Sequence, residues 1–233
     1  MNRLFLPQQN PFSEMGFAAI AITKSGRHIG LLYRIVEGDS IYMIDLAWDH
    51  VLRNELVGAI HSNEYLWVNL RINPLRAEVF ASFCVEIYET NRGKIPYAFG
   101  EPTGAFNEKN EFVPIDQRVG LTCASFVVSL LEKAGVNLID RKSWGKHSDD
   151  QRFFAWIIRA LKGEIEGFPK ALRDDHHVEV ERQVRNGAVR YKPTEVAGAA
   201  SAGFMPISFA EACMLAGEIK CELPDTSKAP WEE

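Results

Sequence analysis

The sequence predicts an α+β protein, with an antiparallel sheet from the first half of the chain and helices from the remainder. Three observations carry this expectation. Between residues 16 and 70 lie several short runs rich in β-branched and aromatic residues, two of them flanking a turn-like E-G-D. From Pro74 the apolar residues take up the three-and-four spacing of an amphipathic helix. After Asp140 the chain is helical in pattern and charged in composition.

The elements follow in order. Residues 16–22 (G-F-A-A-I-A-I) form a continuous apolar run of strand length. Residues 28–36 (H-I-G-L-L-Y-R-I-V) and 40–47 (S-I-Y-M-I-D-L-A) bracket Gly38-Asp39, a hairpin signal. Residues 64–70 (E-Y-L-W-V-N-L) read as another strand, and the type of 51–60 is open. Asn73 caps and Pro74 opens a helix whose stripe is Leu75, Val79, Phe80, Phe83, Ile87 and Tyr88, ending near Asn91-Arg92-Gly93. Residues 101–110 make a polar loop. Thr122 caps a second helix running through Ala134, with stripe Phe126, Val127, Leu130 and Leu131 and Gly135 as its stop.

Residues 148–161 carry Phe153, Phe154, Trp156, Ile157 and Leu161 on a helix that demands burial. A further helical segment spans 169–185, of which the charged stretch 173–185 is expected to stay largely solvated. Two shorter helices follow Pro193 and Pro206, and the last ten residues (P-D-T-S-K-A-P-W-E-E) read as a loose tail. The expected organisation is a core over residues 1–140 and a mostly helical extension over 141–233 that packs on it. Part of 141–220 is expected to border the functional cleft.

Composition narrows the function. With 46% hydrophobic and 24% charged residues, the 233-residue chain can build a core, which excludes wholesale disorder. A net charge of −5 argues against a nucleic-acid partner. No apolar run reaches membrane-spanning length, and Pro7 interrupts the N-terminus before a signal-peptide core forms, so the expectation is a cytoplasmic protein without a transmembrane segment. No G-x-S-x-G, Walker loop or dinucleotide glycine fingerprint occurs.

Four cysteines, Cys84, Cys123, Cys213 and Cys221, lie far apart without a C-x-x-C pair, so no structural zinc, metal or cofactor is expected. Cys123 opens the Thr122 helix, where unpaired N–H groups and the helix dipole favour a thiolate and could hold an oxyanion. The bland alternative is a small core residue. Cys84 and Cys213 read as structural thiols.

A thiolate needs a base, and His28 and His50 are the candidates. Asp45 interrupts an apolar strand where a hydrophobe would be expected. If Glu37-Gly38 forms a two-residue turn, Asp45 lies opposite Gly30, diagonal to His28 on the same sheet face and within side-chain reach. His50 is the substitute third residue should Asp45 point elsewhere. Among weaker signals, His176-His177 beside Asp174-Asp175 read as a solvated helix face rather than a metal site. His50 and His61 lack a metal-pair spacing. Trp48, Trp67 and Tyr97 read as core or cleft rim.

The segments H-I-G-L-L-Y, I-Y-M-I-D-L-A and G-L-T-C-A-S-F-V, in that order over residues 16–135, resemble the circularly permuted branch of the NlpC-type papain-like superfamily, which includes the lecithin–retinol acyltransferase-like proteins. The resemblance implies a permuted papain-like core, with Cys123 as nucleophile, His28 as base and Asp45 as orienting residue. The acyltransferases carry a second histidine where Asp45 stands, and N-C-E-H-F where this chain has T-C-A-S-F. The expected activity is hydrolysis of an amide or peptide-like bond by a thiol, on a small-molecule, peptide or lipid-like substrate. The alternatives are an acyltransferase or lipase acting on lipid esters with the same residues, or a non-catalytic binding module on the same scaffold.

Overall fold

The first strand is apolar along its whole length because the sheet is covered on both faces there. The computed structural model describes residues 4, 18–34, 40–58, 64–70, 74–115, 118–202, 204–225 and 227–232. Strands β1 (Ala18–Thr23), β2 (Ile29–Arg34), β3 (Ile41–Trp48), β4 (Val51–Leu56) and β5 (Tyr65–Asn69) form one sheet in the order β4-β3-β2-β1-β5. Every pairing is antiparallel. Ala18, Ile20 and Ile22 point into the main core, whereas Ala19 and Ala21 join Leu32, Met43, Tyr65 and Trp67 in a second cluster. That two-sided burial explains the unbroken apolar run, whose first two residues lie outside those described.

The β2–β3 register pairs Leu31 with Ile44 and Tyr33 with Tyr42. One step further along this ladder, Gly30 faces Asp45, and a Cβ on Gly30 would sit 3.0 Å from the Asp45 Cβ. The turn residues 35–39 themselves lie outside the described residues. The undetermined segment 51–60 contributes β4, an edge strand with Arg53, Asn54 and Glu55 at its centre. Polar edge strands resist stray pairing, and their weak apolar signal hides them in a sequence.

Helix α1 (Pro74–Asn91) packs against β1, β2 and β4. Its buried row is Phe80, Cys84, Ile87 and Asn91, rather than the stripe expected through Val79, which is 53% exposed. Asn91 belongs to that row because its amide donates to the Ile87 and Asn110 carbonyls and accepts the Phe112 N–H. The Asn73 cap lies outside the described residues.

Helix α2 (Cys123–Lys133) is buried along most of its length against β2 and β3. Thr122 and Ser125 form a reciprocal capping box at its start. Gly135 follows its end at φ +76°, a left-handed position that favours glycine.

The remaining helices are α3 (Asp150–Leu161), α4 (His176–Arg185), α5 (Pro193–Ser201) and α6 (Phe209–Glu222). They share one continuous hydrophobic cluster with the sheet, α1 and α2.

Two expectations for this region are corrected. Residues 169–175 are not helical: the Pro169 carbonyl accepts the Trp48 indole N–H, and Asp49 accepts the Leu172 N–H, which fixes an irregular segment over the sheet edge. The charged stretch 173–185 is largely solvated as expected, with His176, Val180 and Gln183 of α4 its buried residues. His176 Nε2 reaches the Tyr97 carbonyl at 2.9 Å and Gln183 accepts the Phe99 N–H at 3.2 Å, so the inner face of α4 is polar but satisfied. The tail is tied down. Arg27 donates to the Ser227 and Lys228 carbonyls at 2.9 and 2.7 Å, and Trp231 packs against Phe153 and Trp156. The helix after Pro206, at 14 residues, is also longer than expected. Among the described residues no helix is long and apolar enough to cross a membrane.

Candidate active site

Helix α2 begins at Cys123, so the thiol stands beside N–H groups that have no intrahelical partner. The residue is 4% exposed. Across from it, His28 ends the turn between β1 and β2. Thr23 fixes that turn: its Oγ1 accepts the His28 N–H, and its own N–H donates to the His28 carbonyl. The imidazole lies near enough to the Cys123 thiol for each to shift the other's proton affinity, and its Nε2 lies 2.6 Å from Asp45 Oδ2. With Nε2 turned to Asp45, Nδ1 is the nitrogen left for the sulfur. The structure therefore brings Cys123, His28 and Asp45 into one chain of contacts.

Asp45 is held from its other side as well. Arg53, its cross-strand partner on β4, donates Nε at 3.2 Å and Nη2 at 2.6 Å to the two carboxylate oxygens. Asp45 has no exposure, whereas the side chains of Arg53 and His28 keep 35% and 20%. The carboxylate is thus desolvated, oriented and doubly paired. Sequence reading did not single out Arg53, because its role depends on the β3–β4 register.

The electrostatics follow from this pairing. Burial disfavours a charged imidazole, but the Cys123 thiolate and Asp45 outweigh it and push His28 up to about 10. Burial also disfavours a thiolate at Cys123. There His28 prevails, helped by the Ile29 N–H and the Tyr97 hydroxyl, and the thiol is held below its ordinary range. Asp45 is likewise desolvated, yet His28 and Arg53 keep its carboxyl below the usual carboxylate range. The two shifts, His28 raised and Cys123 lowered, both point toward a thiolate beside an imidazolium.

Tyr97 is the site residue that sequence reading placed no higher than rim packing. It lines the cleft beside Cys123, and burial together with the thiolate raises the hydroxyl's pKa well above the usual range. Two glycines place it there. A Cβ on Gly100 would sit 2.1 Å from the Gly120 carbonyl oxygen, and one on Gly120 would sit 2.2 Å from the Pro96 oxygen. Only glycine permits this backbone contact between 96–100 and 118–121. The Tyr97 N–H is anchored on Asp49 at 2.9 Å.

These groups open onto a cleft of about 750 Å³. His28, Tyr97 and Cys123 line it together with Trp48, Phe153, Trp156, Phe168 and Trp231. Residues after 140 thus form a wall of the cleft, and the supposedly loose tail contributes to it. The rings form a nearly continuous band: Tyr97–Trp48, Trp48–Phe168, Phe168–Trp156 and Trp156–Trp231 have centroids 4.8 to 5.5 Å apart.

The other candidates lie elsewhere. His50 Nδ1 is engaged with the Gly93 carbonyl at 2.9 Å and takes no part in the triad. His176 is a buried hydrogen-bonding residue rather than part of a solvated face, and Trp67 belongs to the second core cluster. His61 lies outside the described residues. Cys84 is buried, while Cys213 is exposed and is not a core thiol. No protein-family model matches the chain, and neither the curated proteins nor the solved structures contain a match to it.

Proposed function

We propose that the chain is a cysteine hydrolase that cleaves an amide or peptide-like bond through an acyl-enzyme, built on a permuted papain-like core and acting in the cytoplasm. The observation that carries this reading is the coupled set Cys123–His28–Asp45, whose thiol is held low and whose imidazole is held high at the floor of a cleft. Free thiols at all four cysteines suit a reducing compartment.

In the proposed cycle, the Cys123 sulfur attacks the scissile carbonyl carbon, and the carbonyl π pair moves onto oxygen. The Cys123 N–H at the helix start and the Tyr97 hydroxyl meet this oxyanion. The His28 imidazolium then transfers its Nδ1 proton to the leaving nitrogen as the C–N bond breaks. Water next attacks the thioester while neutral His28 accepts its proton. Collapse expels the thiolate and restores the ion pair. Asp45, fixed by Arg53, holds Nε2–H and stabilises the imidazolium at both steps.

The aromatic band beside the nucleophile favours a second reading, acyl transfer or hydrolysis on lipid esters with the same residues, because it offers an apolar wall to an acyl chain. Intact-mass analysis after exposure to amide, thioester and lipid-ester probes separates the two. An acyl adduct on Cys123 from amide probes, absent in Cys123→Ala, supports the hydrolase. Adducts from lipid esters alone favour the second reading. No adduct from any probe leaves a binding module and overturns both.

A further inference from the structure

Outside the cleft, the loop before α3, the first turn of α5 and the second turn of α6 converge on His147, Glu195 and Cys213. His147 Nε2 lies 2.6 Å from Glu195 Oε1, and Cys213 Sγ lies 3.7 Å from that same oxygen. All three donor atoms fall within 4.8 Å of one another. No sequence spacing announces the group, since 48 residues separate His147 from Glu195 and 18 separate Glu195 from Cys213.

Each converging group is aimed by contacts on its far side. His147 Nδ1 faces Asp150 Oδ1 at 3.1 Å, while Asp150 Oδ2 accepts the His147 backbone N–H at 2.8 Å. Glu195 turns its second oxygen to the Lys192 backbone N–H at 3.1 Å. The Nε2, Oε1 and Sγ atoms are left pointing at one another. The His147 and Glu195 side chains are 8% and 3% exposed, whereas Cys213 stands on the open flank, where water can reach.

Without a metal, the four groups form one hydrogen-bonded chain, Asp150–His147–Glu195 with the Cys213 thiol donating to Glu195. A divalent transition ion would draw the imidazole, the Glu195 carboxylate and the thiolate into one coordination sphere, with Asp150 behind the imidazole. Imidazole, carboxylate and thiolate are zinc donors, and a carboxylate behind the histidine is the usual support for a metal-bound imidazole. With metal–ligand bonds of roughly 2.0–2.3 Å, tetrahedral ligand atoms sit roughly 3.3–3.7 Å apart. The sulfur–oxygen distance already fits, and the other two distances need shifts of about 1 Å.

We propose that His147, Glu195 and Cys213 form a zinc site, with Asp150 orienting the imidazole and water completing the tetrahedron. The ion would clamp the α3 loop, α5 and α6, which bring Asp149, Lys192 and Lys220 to the wall of the Cys123 cleft.

The test is titration of the metal-free full-length chain with Co²⁺ and then Zn²⁺. The expected result is one cobalt per chain, with a sulfur-to-cobalt charge-transfer band in the near ultraviolet that zinc abolishes. Saturating zinc should raise Tm by roughly 5–10 °C at a hundredfold excess over Kd. Cys213→Ser should lose the band while its metal-free Tm matches wild type. Asp150→Asn should weaken affinity about 10- to 100-fold. Cys123→Ala should keep both band and Tm shift, which separates this site from the catalytic proposal. A band that survives Cys213→Ser but disappears in Cys123→Ala overturns the assignment, as does the absence of both band and Tm shift in wild type.

Discussion

Replacing Asp45 with asparagine keeps the side chain's shape and removes its charge. The amide then offers one acceptor oxygen to two cations and turns an NH₂ group toward the other. In the wild type, Asp45 receives His28 at 2.6 Å and Arg53 at 2.6 and 3.2 Å with no exposure to water. Breaking a buried ion pair from one side costs roughly 3–5 kcal/mol. Arg53 and His28 are 35% and 20% exposed and can recover some hydration, which brings the expected loss to about 2–4 kcal/mol. Because the Asp45 carboxyl is held low when folded, its contribution is complete above its ordinary value of 3.8 and fades as pH falls through the folded value. Urea denaturation of Asp45→Asn and wild type should thus show the full difference at pH 7 and a shrinking one in acid. The same variant should alkylate Cys123 more slowly at pH 7, since a less stabilised imidazolium supports less thiolate. A stability difference within about 0.5 kcal/mol, with unchanged alkylation, would refute the reasoning.

Three further substitutions probe the surroundings. Tyr97→Phe keeps the ring on Trp48 but removes the oxyanion donor, and should lower kcat about 100-fold with little change in KM, read from steady-state turnover of whichever probe acylates the enzyme. Gly30→Ala places a Cβ 3.0 Å from the Asp45 Cβ and 3.1 Å from the Ile44 oxygen, and should cost about 1–3 kcal/mol in thermal or urea unfolding while slowing Cys123 alkylation. Trp231→Ala removes the ring packed on Phe153 and Trp156 and should cost about 1–3 kcal/mol, with KM raised more than kcat is lowered. An unchanged KM would remove the tail from the substrate wall.

What the sequence disclosed was local. The Thr122 cap, the cysteine behind it, the helix beginning at Pro74 and the β2–β3 register each rest on neighbouring residues or on one short turn, and the structure has the cap, the helix and the register where they were expected. The α+β class with an antiparallel sheet packed on helices holds for the same reason. What escaped depends on contacts between distant segments. Arg53 matters because β4 pairs with β3, and a polar edge strand carries no apolar pattern to reveal that pairing. Tyr97 reaches Cys123 through a backbone contact that Gly100 and Gly120 allow, although the two site residues are far apart in sequence. The buried face of α4 escaped because its groups, His176 and Gln183, are polar and satisfied by the backbone near Tyr97 and Phe99. The tail seemed loose because what fastens it lies elsewhere in the chain: Arg27 on its backbone, and Phe153 and Trp156 against Trp231.

If Cys123 rests as a thiolate paired with His28, the pH dependence of its alkylation follows that pair. Rates for all four thiols would be followed by peptide mass spectrometry from pH 5 to 10. A thiol with a lowered pKa gains reactivity as pH rises only as far as that value, and is flat above it. Cys123 should therefore inflect on the acid side of the ordinary 9.0 and level off above that inflection. In His28→Ala the inflection should move toward or beyond 9.0. A Cys123 rate that inflects at or above 9.0 and is indifferent to His28→Ala would contradict this assignment.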